Sequence, residues 1–175
     1  EDGNIKTAYR TVVVYDEITV PDIIGEDEEY TGVGSVIFRG TKTDSEGNVI
    51  IVGTDGNDGI IIKRNSNNNT LWERRLTGNG GVTFNDILID SDGNIVVVGK
   101  TSATDLMTGS ITGSFVVKYD SDGNELWRNI YGSSSDSEFV SIVEDNVGNY
   151  VMAGHHGANA WGYVVDKIGS EVLSK

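Results

Sequence analysis

An apolar run closed by glycine recurs three times in this chain. GNVIIVG ends at Gly53, GNIVVVG at Gly99 and GNYVMAG at Gly154, 46 and 55 residues apart. Self-similarity at such a period constrains the fold strongly, because each copy must be one supersecondary unit that buries its apolar face against the next. A second run follows each glycine: GIIIKR (Gly59–Arg64), SFVVKY (Ser114–Tyr119) and GYVVDK (Gly162–Lys167). Then come TLWERRL (Thr70–Leu76) and ELWRNIY (Glu125–Tyr131), with Trp72 and Trp127 55 residues apart. A further run, entered at Phe38, Phe84 and Phe139, precedes each unit. The runs are short, rich in Val, Ile and aromatics, and bounded by Gly, Asn and Asp, as strands are. None has a helical period.

The expected fold class is therefore all-β, with four antiparallel strands, A to D, in each unit. About three units, near 33–78, 79–132 and 133–175, read as blades of a partial β-propeller. With 23 glycines and one proline the chain suits tight turns, and 37% hydrophobic residues suffice for a core. Three blades do not close a ring, since propellers use about 4–8. Either the chain is part of a larger propeller, or copies self-associate through open blade edges.

The stretch DSDGNIVVVGKTS…GSFVVKYDSDGNELWRNIYG resembles the bacterial β-propeller repeats of secreted and surface proteins. YDSDGNELWRNIYG is also similar to the quinoprotein-like repeat, whose tryptophan docks between neighbouring blades. The resemblance covers roughly 33–175 and implies a fold more than an activity. It makes Trp72 and Trp127 blade-packing residues, with Gly53, Gly99 and Gly154 as structural positions of the repeat. Asp122 and Trp127, five apart, resemble the Asp-box of sialidase-like propellers, but Asp120 stands where that box has Ser or Thr and Asn124 where it has Gly. That likeness carries the alternative function, part of a sialidase-like or quinoprotein-like propeller enzyme.

DSDGN occurs at 90–94 and 120–124, with relatives DSEGN at 44–48 and DNVGN at 145–149. These segments fall between strands A and B or C and D. An Asp that bonds its own backbone and a Gly that accepts positive φ suit a hairpin turn there. Moving 120–124 back by 55 lands on NSNNN at 65–69, which keeps the turn chemistry and loses every carboxylate. A calcium loop needs several carboxylates at alternating spacing, which these segments lack. The turn reading is preferred and no cofactor is expected. Calcium at Asp120, Asp122 and Asn124 is the one cation site left to test.

Strand direction puts the DSDGN-type turns on one rim and the variable loops on the other. Those loops are 54–59, 78–81, 100–113, 132–138 and HHGANAW at 155–161. Binding loops on a rigid scaffold are the usual arrangement. The candidate ligand residues are Trp161, His155, His156, Asn159, Asp55 and Asp58, with Trp161 as a stacking platform for a sugar ring. Adjacent histidines in a strand point to opposite faces, which disfavours a shared metal. No nucleophile, acid–base or phosphate-loop constellation is present, so the chain is expected not to be an enzyme. The net charge of −14 repels nucleic acid and anionic membranes, and no apolar run reaches the length of a membrane helix. The expected partners are a glycan or a protein at the variable rim.

Residues 2–16 do not align with the repeat and resemble the last strand of a bacterial immunoglobulin-like surface domain; a propeller strand completing another blade is the alternative. Residues 17–32 read as an acidic linker. This points to a bacterial surface or secreted protein, and the absence of cysteine fits that surface or the cytosol.

Overall fold

The computed structural model describes residues 30–78, 80–102, 112–132 and 136–172. The immunoglobulin-like strand lies outside the described residues, as does the linker before Tyr30. Every regular element among the described residues is a β-strand. The first four are β1 (Val36–Thr43), β2 (Val49–Asp55), β3 (Asp58–Arg64) and β4 (Thr70–Leu76). Next come β5 (Val82–Ile89), β6 (Ile95–Thr101), β7 (Gly113–Tyr119) and β8 (Glu125–Tyr131). The last are β9 (Ser137–Glu144), β10 (Tyr150–His156) and β11 (Asn159–Val165). They form three antiparallel sheets ordered β1-β2-β3-β4, β5-β6-β7-β8 and β11-β10-β9. Sheet 3 has three strands, as its lack of an LW segment implies, and beyond β11 a single bridge joins Val165 to Glu171. No sheet closes on itself among the described residues.

The sheets pack face to face in a fixed direction. Ile50, Val52, Ile61 and Leu76 of sheet 1 meet Val82, Phe84, Ile87, Val97 and Phe115 of sheet 2. From its other face sheet 2 sends Val96, Val98 and Tyr131 against Phe139, Ile142, Tyr150 and Met152 of sheet 3. Central strands β6 and β7 thus bury both faces, and the residues of β2 and β3 are buried on both faces as well, which is why all four sequences are unbroken apolar runs without alternation. The first strands lie side by side, β1 against β5 and β5 against β9, while β4 and β8 form outer edges.

A β-bulge recurs in each first strand. The register shifts past Phe38 in β1, past Phe84 in β5, and in β9 between Phe139 and Ser141. Gly53, Gly99 and Gly154 sit opposite those three phenylalanines. A Cβ on each glycine would run into the carbonyl oxygen of Ile37, Thr83 or Glu138 respectively. The repeated glycine is therefore the residue that lets a bulged strand lie close to its neighbour. A second bulge turns Leu71 of β4 and Leu126 of β8 outward, leaving them half exposed.

The third unit departs from its expected strand boundaries. Strand C was placed at Gly162–Lys167, but β11 begins at Asn159. HHGANAW is not a loop: His155 and His156 end β10, and a two-residue turn at Gly157 and Ala158 leads into β11. TDGNDG is the same device, with Gly56 and Asn57 between β2 and β3. Gly56 and Gly157 adopt φ of 62° and 60°, as such tight hairpins require. Of the loop expected at 100–113, residues 103–111 lie outside the described residues, as do 133–135 of the loop at 132–138.

Candidate functional site

The turn rim is built from one repeated unit. At 44–48, 65–69, 90–94, 120–124, 145–149 and 166–170 the first residue and the fifth are joined by a backbone hydrogen bond. The first side chain then accepts from the amides of the third and fifth residues. Asp120 Oδ1 accepts from Asp122 N at 3.0 Å and Asn124 N at 2.8 Å. Asn65 Oδ1 does the same with Asn67 N and Asn69 N at 3.0 Å each, without a charge. Its fourth residue, Asn68, takes φ 63°, where the other turns place glycine. The last copy, DKIGS at 166–170, escaped the sequence reading because serine replaces the closing asparagine.

These bonds occupy the carboxylate of Asp120, one of the residues considered for calcium. Besides the two amides on Oδ1, Asp120 Oδ2 accepts from Asn124 Nδ2 at 2.9 Å. The Asn124 amide and the backbone donors hold Asp120 below the usual carboxylate range. Among the described residues no cluster of three or more His, Asp or Glu is arranged to hold a metal.

Two of these turns are docking points between sheets. Trp72 of β4 lies against Gly123, and its Nε1 donates to Ser121 O at 3.2 Å. Trp127 of β8 lies against Gly169 and donates to Lys167 O at 3.0 Å. Each tryptophan reaches the C–D turn of the following sheet.

A buried lysine accompanies each tryptophan. Lys63 Nζ pairs with Asp44 at 2.9 Å and donates to Ser121 O at 3.1 Å. Lys118 Nζ pairs with Asp90 at 2.9 Å and donates to Tyr150 Oη at 2.7 Å. Tyr150 Oη donates to Asp90 Oδ2, also at 2.7 Å. Both lysines are 5% exposed. Sequence reasoning passed over this triad, though a lysine at the same place in IIIKR and FVVKY was a visible signal. Burial favours the neutral Asp90 carboxyl, but bonds from Tyr150 and Lys118 prevail and lower it to about 2.

The structure divides the six candidate ligand residues between two places. Asp55 and Asp58 flank the β2–β3 turn. Asp55 has no exposed surface: Arg75 Nη2 lies 2.6 Å away, and the amides of Val33 and Gly34 donate at 3.1 and 2.9 Å. Burial alone would raise its pKa; these donors outweigh that and lower it. Asp55 is thus a buried anchor and not the rim ligand expected. Asp58 is 3.9 Å from Arg75 Nη1.

The other four lie in sheet 3. His155 and His156 point to opposite faces. His156 Nδ1 is hydrogen-bonded to Ser137 Oγ, and its ring lies 5.6 Å from that of Trp161. Trp161 is half-buried, stacked on Phe139 at 5.0 Å and edge-on to Tyr163, so one indole face is already covered. Asn159 is exposed opposite His156. His155 lines a cleft of about 320 Å³ with Lys100, Asp136, Ser137, Glu138, Gly157 and Ala158. Glu138 is held there by Lys100 Nζ at 3.1 Å and Asn85 Nδ2 at 2.6 Å. The cleft therefore offers both charges and an imidazole from adjoining sheets. Lys100, Asp136, Ser137 and Glu138 were missed because they sit on different units and share no motif.

No family model matches the chain, and neither does any curated protein. A solved structure of a protein of unknown function from Bacteroides caccae is similar at 12% identity and a TM-score of 0.37. The match covers 82% of this chain and 68% of that one. So distant a likeness identifies no function.

Proposed function

We propose that the chain is a non-catalytic β-propeller segment of a bacterial cell-surface or secreted protein. It acts as a binding or adhesion scaffold, and the cleft around His155 takes a small polar ligand of the glycan class. The observation that carries the reading is the contrast between the two rims. On one, six copies of a turn satisfy their own polar groups and dock neighbouring sheets. On the other, Lys100, Glu138 and His155 converge without any counterpart in the repeat. Rigid repeats carrying an idiosyncratic polar cleft on the variable rim suit recognition by a fixed scaffold. The directional stacking, with first strands adjacent and bulged alike, supports the propeller arrangement.

A glycan array followed by calorimetry tests this. Binding that falls at least tenfold in His155→Ala and in Glu138→Gln, with unchanged urea midpoints, is the expected result. Turnover of any sugar would overturn the non-catalytic reading and favour a sialidase-like or quinoprotein-like enzyme. Binding unaffected by either substitution would remove the cleft from the site.

A further inference from the structure

One ion pair sets the cleft beside His155 apart from the repeat. Lys100 Nζ lies 3.1 Å from Glu138 Oε2, across the junction of sheets 2 and 3. The ladders identify the matching places at the junction of sheets 1 and 2. Thr54 pairs with Ile37, Lys100 with Thr83 and His155 with Glu138, each just before the bulge of its first strand. Lys100 therefore corresponds to Thr54, and Glu138 to Thr83. Two sheets join at that place without charges, so the carboxylate and the ammonium are not required by the packing.

Glu138 is held as a fixed acceptor. Asn85 Nδ2 donates to its Oε1 at 2.6 Å and to Phe139 O at 2.9 Å, which ties the amide to the strand that carries Glu138. The Glu138 side chain is 17% exposed and that of Lys100 46%. The carboxylate is pre-organised, while its counter-ion is a flexible, hydrated lysine of the kind that contributes little in a surface pair. Among the described residues, the lining holds the carboxylates of Asp136 and Glu138 against the ammonium of Lys100. With histidine counted neutral, that balance and the net charge of −14 attract a cation and repel an anion.

We propose that the ligand of this cleft is a hexosamine, a sugar bearing a primary ammonium group that takes the place of Lys100 Nζ at Glu138 Oε2. The inference rests on the glycan reading of the cleft and narrows it. Exchanging one ammonium for another keeps the Glu138 charge compensated, and Lys100 turns to solvent. A neutral sugar offers Glu138 only an uncharged hydrogen bond, which is weaker than a charge-assisted one. An acidic sugar adds a third negative charge. At about 320 Å³ the cleft is at the small end of ligand pockets, which suits a single ring.

Calorimetry of the whole chain near neutral pH and at low salt decides it, with four methyl glycosides as probes: the glucosaminide, its N-acetyl form, the glucoside and the glucuronide. The glucosaminide is expected to bind about tenfold or more tighter than the glucoside and the N-acetyl form, with the glucuronide weakest. Added salt narrows the difference. Glu138→Gln keeps an acceptor for Asn85 and removes the charge, so the glucosaminide falls to the level of the glucoside. Lys100→Met removes the competing ammonium and tightens the glucosaminide severalfold; its half-exposed position leaves the urea midpoint unchanged. A glucosaminide bound no better than the glucoside, or a glucuronide bound best, overturns the hexosamine inference and leaves the glycan reading standing. So does a preference that survives Glu138→Gln or that Lys100→Met weakens. A chain that binds none of the four overturns it too, and the glycan array then decides separately whether the cleft takes other sugars.

Discussion

Replacing Asp90 with alanine removes two separable things. One is the turn: Asp90 Oδ1 accepts from the amides of Asp92 and Asn94 at 3.0 and 2.8 Å. The other is the carboxylate paired with Lys118, whose side chain is 6% exposed. Asp120→Ala is the matched control, because Asp120 makes the same turn bonds and has no lysine. Loss of the turn bonds at an exposed site costs about 1 kcal/mol. Leaving a buried ammonium without its counter-charge costs about 3–5 kcal/mol more. Asp90→Ala should therefore lose about 4–6 kcal/mol against about 1 for Asp120→Ala. At roughly 2–4 °C per kcal/mol, that lowers the melting temperature by about 10–20 °C. Urea unfolding followed by tryptophan fluorescence reads both variants, since Trp72 and Trp127 sit at sheet interfaces. Adding Lys118→Met to Asp90→Ala removes the orphaned charge and should restore most of the second loss. Equal losses in the two alanine variants would refute the reasoning. So would a further loss on adding Lys118→Met.

The same pair predicts a pH dependence. Its folded carboxyl is depressed to about 2, so its contribution is full above the unfolded value near 3.8 and is lost as pH falls through about 2. Urea midpoints between pH 5 and 2 should fall less steeply in Asp90→Asn than in the native chain; parallel curves would remove Asp90 from the acid response. Gly99→Ala should cost at least about 3 kcal/mol by thermal melting, because its Cβ would meet the Thr83 carbonyl. Gly157→Ala, with open space around it and φ of 60°, should cost only about 1–2 kcal/mol. Millimolar calcium should leave the melting temperature unchanged, since the oxygens of Asp120 accept bonds from its own turn; a rise of several degrees would reveal a cation site.

Strand content was legible wherever both faces of a strand are buried, because VIIVG and IVVVG admit no solvent-facing residue. It was illegible at HHGANAW, whose histidines, asparagine and alanines carry no apolar pattern. There the segment lies partly beside an uncovered face, so nothing forces large apolar residues into it. The exposed leucines of TLWERRL and ELWRNIY were opaque for a related reason. A bulge shifts their register by one residue, and period-two reading cannot anticipate the shift. The cleft around His155 was half legible. The histidine stood out by rarity, while Lys100 and Glu138 become neighbours only when β6 and β9 meet across two sheets. The buried lysines show the limit most clearly. A lysine after three apolar residues reads as the solvent end of a strand. Lys118 is instead the point where Asp90, Tyr150 and the following turn meet. Its partner residues lie 28 and 32 positions away in sequence, in a turn and a strand that no local pattern connects to it. Repetition was the remaining signal: Lys63 and Lys118 hold equivalent places, and Val164 breaks the series in the unit whose face is left open. A repeat therefore reports an interface by what recurs at equivalent places where neighbouring sheets meet.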